Sequence, residues 1–121
     1  MSRLAFVFST LILAAAAPAL AAENHACAIS VDFASAASGV DTALARRIAQ
    51  HIRHDPRIVR RERIVKGKEG EFELCLTVEP AQKARTVFRS IRALMPASSA
   101  KAPTTLTLKG GRKFETRWRK S

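Results

Sequence analysis

Two histidines, His51 and His54, lie three positions apart at the end of a predicted helix and are followed by Asp55. Residues at this spacing share one face of a helix, so the two imidazoles and the carboxylate could hold a metal ion. Ordinary surface histidines show the same spacing, and the helix dipole favours them near a C-terminal end. We favour this second interpretation, which leaves His51 and His54 as weak candidates for metal ligands.

A third histidine offers a different metal site that depends on how the chain is processed. His25 would be the third residue of the mature chain if a signal peptide were removed after Ala22. A free amine followed by a histidine at the third position can bind copper(II) or nickel(II) through a square-planar set of nitrogens. Cleavage after Ala21 is the better fit, because it leaves small residues at both Ala19 and Ala21. The terminal metal site is therefore the weaker alternative, and we predict no cofactor.

Residues 1–21 have the composition of a secretory signal peptide. A short start with Arg3 precedes an almost unbroken apolar run over residues 4–17, and small residues follow it. The apolar run is too short for a membrane anchor, so we expect no transmembrane span after its removal. We predict a single domain over residues 22–121 and a periplasmic or secreted bacterial protein.

Positive charge dominates the chain. It contains 21 Lys and Arg against 10 Asp and Glu, a formal net charge of +11, and loss of Arg3 with the signal peptide removes only one of these charges. Such a charge attracts anionic partners, which include membrane head groups, polyanionic polymers and acidic proteins. A basic surface that only keeps the protein soluble is the simpler alternative.

The two cysteines, Cys27 and Cys75, are predicted to form a disulfide, since an even pair in an oxidising compartment is most simply explained that way. The strand pattern presents a difficulty for this pairing. Cys27 falls on the apolar face of the first strand, whereas Cys75 lies opposite the apolar face of its own strand. A bulge, or an irregular start to the first strand, would bring the two sulfurs together.

Two predicted helices carry most of the candidate binding residues. The first begins at Asp41, whose carboxylate can cap the free amides of the first turn, and buries Leu44, Ile48 and Ile52. The second follows Pro80 over residues 81–95 and has the clearest helical period in the chain. The cations that lie off the two buried stripes, and that we predict to bind anions or a partner, are Arg46, Arg47, Arg53, Lys83, Arg85, Arg89 and Arg92.

A hairpin of two strands, residues 57–65 and 71–79, is predicted at the centre of the chain. The second strand alternates apolar and polar residues, as half-buried strands do, and the charged first strand suits a sheet edge. Further strands are predicted at residues 27–33, 104–109 and 113–119. This order, with right-handed crossovers, predicts an α+β fold: a ferredoxin-like βαββαβ sandwich with two helices on one face of an antiparallel sheet and a C-terminal hairpin extension.

No constellation of residues typical of catalysis is visible. No serine lies in a nucleophile elbow, no glycine-rich phosphate loop follows a strand, and the glutamates of the hairpin alternate with arginines that can pair with them. We therefore predict a non-enzymatic protein. Our first hypothesis is an accessory module that docks on an anionic envelope surface or an acidic protein through the helical arginines.

The sequence also allows other kinds of partner. A protein-interaction or inhibitor-like module that uses the sheet edge or the open sheet face is the main alternative, and metal binding is a weaker one. We expect no nucleic-acid partner, because the predicted open face displays carboxylates and no aromatic ring. Phe114 and Trp118, which lie among basic residues of the tail, fit a membrane interface but are better explained as packed strand residues.

Overall fold

A computed structural model describes residues 27–36 and 39–120 of the chain. The predicted signal peptide, its cleavage site and His25 lie outside the described residues, as do residues 37, 38 and 121. Within the part that is described, no helix is both long and apolar enough to cross a membrane.

Two helices form, close to the predicted positions. Helix α1 spans Thr42–Arg53, and the Asp41 carboxylate accepts a hydrogen bond from the Leu44 amide at 3.1 Å, which confirms the predicted cap. Helix α2 spans only Ala84–Arg92 and is preceded by a 3-10 turn at Ala81–Lys83. It ends earlier than predicted because the amides of Leu94 and Met95 bond three residues back, which tightens the last turn ahead of Pro96.

Five strands form an antiparallel sheet in the order β2-β3-β1-β5-β6. Their bounds are β1 Ile29–Phe33, β2 Ile58–Val65, β3 Phe72–Val78, β5 Thr104–Leu108 and β6 Lys113–Glu115. A separate parallel pair joins β4, Ser98–Ser99, to β7, Arg117–Trp118. The charged strand β2 lies at one edge of the sheet, as its composition indicates.

Both helices contribute to one hydrophobic core against one face of the sheet. Ile48 of α1 and Phe88 of α2 are buried in the same cluster as Val31 of β1, Leu76 of β3 and Leu106 of β5. These strand residues share a face, since Val31 is paired with both Leu74 and Leu106 in the antiparallel ladders. The α+β class, with two helices and an antiparallel sheet, is therefore confirmed. The five-stranded order differs from that of a plain four-stranded ferredoxin-like sheet.

Cys27 and Cys75 form the predicted disulfide, with their Cα atoms 5.1 Å apart. The conflict between their strand faces is resolved by the start of β1, since regular pairing begins only at Ile29. Cys27 precedes the strand and does not follow its alternation, so its sulfur can reach Cys75, which is paired with Ser30. Both cysteines are buried.

The C-terminal segment differs from its prediction in two ways. Residues 97–103, for which no helix or strand is predicted, contain β4, and Ser99 and Ala102 are buried. The predicted strand over 113–119 is interrupted at Thr116, whose side chain accepts a hydrogen bond from the Thr104 amide at 2.9 Å. This bond ends β6, and the chain then crosses to pair with β4, where Trp118 is 41% exposed. Core packing of Trp118 was therefore the wrong interpretation.

Candidate anion-binding surface

The outer side of the helix layer carries all seven of the predicted binding cations. The buried residues of the two helices turn toward the sheet: Leu44, Ile48 and Ile52 of α1, and Val87, Phe88 and Ile91 of α2. The cations lie at other positions of the two helical segments. Every one of the cations is exposed. We call this set the helix surface: Arg46, Arg47, Arg53, Lys83, Arg85, Arg89 and Arg92.

No carboxylate lies within the two helical segments, residues 42–54 and 81–95. The acids that flank α1 are buried and bonded elsewhere: Asp41 accepts from the Ser99 hydroxyl at 2.7 Å, and Asp55 pairs with Arg57 at 2.8 Å. Among the described residues, the ion pairs involve Arg57 and Lys66 and none of the helix surface. The positive charge of this layer is therefore not offset by neighbouring acids on the helices.

The carboxylates concentrate instead on the opposite face of the sheet. Asp32 and Glu73 are paired across β1 and β3, and the Lys66 ammonium lies 3.4 Å and 3.1 Å from their carboxylates. Ser30 also donates a hydrogen bond to Glu73. The hydrogen bond that Lys66 itself donates to Glu73 is the main reason that the pKa of Lys66 is raised above its ordinary value of 10.5. Charge is thus segregated, with a basic helix layer on one side and carboxylates on the other.

His51, His54 and Asp55 border a shallow cleft of about 790 Å³ but are each engaged with other groups. The Ser90 hydroxyl donates to the Val87 carbonyl, so it accepts from His51 Nε2, 3.0 Å away. His54 Nδ1 lies 2.8 Å from the Gln50 carbonyl and must donate to it. Within the described part of the chain, no group of three or more His, Cys, Asp or Glu is placed to hold a metal ion.

Asp55 and Arg57 form a bidentate pair at the exit from α1. Arg57 Nε donates to Oδ1 at 2.9 Å and its terminal amino group to Oδ2 at 2.8 Å, while the Arg57 amide also bonds Oδ1 at 3.0 Å. The side-chain hydrogen bond from Arg57 lowers the pKa of Asp55 below its ordinary value of 3.8. This pair fixes the turn into β2 and leaves both charges occupied.

A second group of cations adjoins the helix surface at the turn between β5 and β6. Arg112 and Lys113 line a cleft of about 630 Å³ together with Arg89 and Arg92 of α2. The Arg92 guanidinium lies 4.6 Å from the centre of the Phe114 ring. Arg112 and Lys113 belong to the basic residues of the tail that surround Phe114 and Trp118. The position of Arg112 beside α2 depends on the pairing of β5 and β6, which no local pattern reveals.

Arg63 of β2 extends the helix surface on the other side. Its guanidinium lies 4.0 Å from the centre of the Phe72 ring, and it borders a cleft of about 430 Å³ with Arg46 of α1. The pairing of Arg63 with Leu74 places it on the helix side of the sheet. The alternation of β2 alone could not assign this face, because both faces of that strand are charged.

Comparisons of the chain with protein-family models, with curated proteins and with solved structures give no match. Function is therefore inferred from the geometry and charge of the molecule itself.

Proposed function

We propose that this protein is a small exported binding module that docks on an anionic surface or an acidic partner through the helix surface. The observation that carries the proposal is the segregation of charge: seven exposed cations with no carboxylate on either helix. An anionic partner would not compete with carboxylates of the two helical segments for these cations, because those segments contain none. Arginine, which supplies six of the seven, suits bidentate contact with phosphate or carboxylate.

The proposed location is the periplasm or the extracellular space. The disulfide between Cys27 and Cys75 supports it, since such bonds persist mainly in oxidising compartments. There the anionic partners within reach are membrane head groups and acidic exported proteins.

The proposed scaffold is a ferredoxin-like sandwich with additions. Strands β2, β3, β1 and β5 follow one another in antiparallel order, with α1 and α2 on one face, which supports this assignment. Strand β6 would then belong to the predicted C-terminal hairpin extension, and the β4–β7 pair would be a further addition. The scaffold presents both helices side by side, which gives the cations one continuous layer.

Two triple variants of equal charge test the proposal. Replacement of Arg85, Arg89 and Arg92 by Ala removes three cations from the helix surface. The matched control, Arg60, Lys66 and Lys68 to Ala, removes three exposed cations from the β2–β3 hairpin. Binding to phosphatidylglycerol vesicles, followed by sedimentation at low and high salt, compares them.

We expect the helix variant to lose binding and the hairpin variant to keep most of it. Binding of the unmodified protein should weaken steeply with salt, because the screening length falls from about 10 Å at 0.1 M to about 3 Å at 1 M. Equal losses in the two variants would mean that net charge alone drives binding. Either that result or salt-independent binding refutes the proposed docking surface.

A second candidate function is supported by the edge strand β2. This strand has eight residues, and Val59 and Val65 are 51% and 72% exposed. An extended segment of another protein could add to this edge by backbone hydrogen bonding, with acidic side chains beside its arginines. The same pair of variants separates the candidates, since loss of a protein partner only in the hairpin variant favours the edge.

A further inference from the structure

Cations from two elements meet where α2 approaches the β5–β6 turn. Arg89 and Arg92 of α2 and Arg112 of the turn line one cleft of about 630 Å³, and no carboxylate lines it. Lys113 borders the same cleft, but its pairing with Thr107 places its side chain on the opposite face of the sheet. A ligand in this cleft would therefore be contacted from two sides, unlike one that rests on the helix surface alone.

The β5–β6 turn is closed by backbone hydrogen bonds. The Leu108 amide donates to the Arg112 carbonyl at 2.7 Å, and the Gly111 amide donates to the Leu108 carbonyl at 3.2 Å. Gly110 and Gly111 have φ values of 102° and 135°, which residues other than glycine rarely adopt. The closed turn fixes the backbone of Arg112 where it lines the cleft beside α2.

Arg92 is oriented by an aromatic ring. Its guanidinium lies over Phe114 at 4.6 Å from the ring centre. A guanidinium that stacks by its face still presents its N–H groups around its edge, where they can donate to two oxygens of one anion. The ring therefore reduces the freedom that Arg92 would lose on binding.

We infer that this cleft is a binding site for a phosphate monoester. A monoester carries about −1.5 to −2 charges at pH 7 and three acceptor oxygens, whereas a phosphodiester carries one charge and two such oxygens. Three cations around one cleft, Arg89, Arg92 and Arg112, favour the more highly charged group, because Coulomb attraction grows with the product of the charges. The inference rests on the proposed anion docking and specifies its ligand.

Vesicles of phosphatidylcholine that contain either phosphatidic acid or phosphatidylglycerol, matched in surface charge, test the inference. Phosphatidic acid presents a monoester and phosphatidylglycerol a diester. We expect the unmodified protein to bind phosphatidic acid about fivefold to tenfold more tightly. The preference should increase as pH rises through the second ionisation of the monoester, near pH 6.

Two double variants of equal charge locate the preference. Arg92→Ala with Arg112→Ala, which removes two cations that line the cleft, should reduce the affinity for phosphatidic acid to that for phosphatidylglycerol. The control, Arg46→Ala with Arg47→Ala, removes two cations of α1 that do not line the cleft, and should lower both affinities while it preserves their ratio. Equal affinity of the unmodified protein for the two lipids, or a preference that survives the first double variant, would overturn the inference.

A soluble probe keeps this outcome distinct from failure of the docking surface. If the protein bound neither kind of vesicle, surface docking would be wrong, and inorganic phosphate would then be titrated in an NMR experiment. Saturable shifts of the Gly111, Arg112 and Lys113 amides that disappear in the first double variant would support the cleft as a free phosphate site. Their absence would overturn the site as well.

Discussion

Single carboxylates in this protein act mainly as structural partners. Asp41 joins two elements, since it caps α1 at the Leu44 amide and accepts a hydrogen bond from Ser99 of β4. Asp55 closes the turn that follows the same helix through its pair with Arg57. Because both acids are consumed in this way, neither neutralises the arginines that lie between them on α1.

The Asp55–Arg57 pair predicts how stability depends on pH. The pKa of Asp55 is lowered in the folded protein, so its contribution to stability is present above the ordinary value of 3.8 and is lost as pH falls through the lower folded value. We therefore expect the free energy of unfolding to decrease more steeply below about pH 4 for the unmodified protein than for Asp55→Asn. Urea unfolding at a series of pH values measures both profiles.

The Asn variant isolates the charge of this group, because it keeps the size of the side chain. Its stability should be lower than that of the unmodified protein at pH 6, and the two should converge at the most acidic pH. A constant difference across the whole acid range would mean that Asp55 does not titrate with folding.

At the scale of elements, the disulfide ties the irregular start of β1 to β3. Strand β1 is the middle strand of the sheet and has only five residues, with Cys27 just outside its regular pairing. The covalent bond holds this irregular start against β3. It closes a loop that includes α1, β2 and the hairpin turn, with a sequence separation of 48 residues.

We expect Cys27→Ala with Cys75→Ala to lower the free energy of unfolding by about 3–4 kcal/mol, mainly through greater freedom of the unfolded chain. Denaturant unfolding of the double variant gives this value. The unmodified protein in a thiol reductant is the matched control and should unfold at nearly the same denaturant concentration. Unchanged stability of both would show that hydrogen bonding of β1 alone holds the ladder.

The elements that the sequence predicts well are those whose pattern is local. The period of Leu44, Ile48 and Ile52 and the capping position of Asp41 define α1, and the alternation of β3 defines its buried face. The end of α2 and the break at Thr116 were missed. Both are decided by hydrogen bonds, one from a tightened last turn and one from Thr104 twelve residues away, and neither leaves a periodic signal.

The residues of the candidate site also divide into those that a local pattern predicts and those that depend on distant contacts. The seven cations of the helix surface follow from helical spacing once both helices are placed on one face, which the shared burial of Ile48 and Phe88 confirms. Arg63, Arg112 and Lys113 border clefts beside the helix surface, and their positions there depend on the pairing of distant strands. Such contacts could be found in advance only from the sheet order.

At the scale of the whole molecule, the two sides differ in charge, and this difference predicts how the protein orients on a charged surface. The helix layer is basic, whereas Asp32 and Glu73 lie on the opposite sheet face around Lys66. On an anionic vesicle, attraction of the basic helix layer and repulsion of the carboxylates should both favour the same orientation of the protein. We therefore expect the protein to bind with its helices toward the lipid.

Arginine-specific dicarbonyl modification, read by mass spectrometry, tests this orientation. Binding to phosphatidylglycerol vesicles should slow the modification of Arg47, Arg85 and Arg89, because their guanidinium groups would face lipid phosphates. Arg60, which is paired with Thr77 on the other face of the sheet, should react as fast as in the free protein. Vesicles of phosphatidylcholine alone should protect none of them, and equal protection of Arg60 and Arg85 would show that the molecule binds without a preferred face.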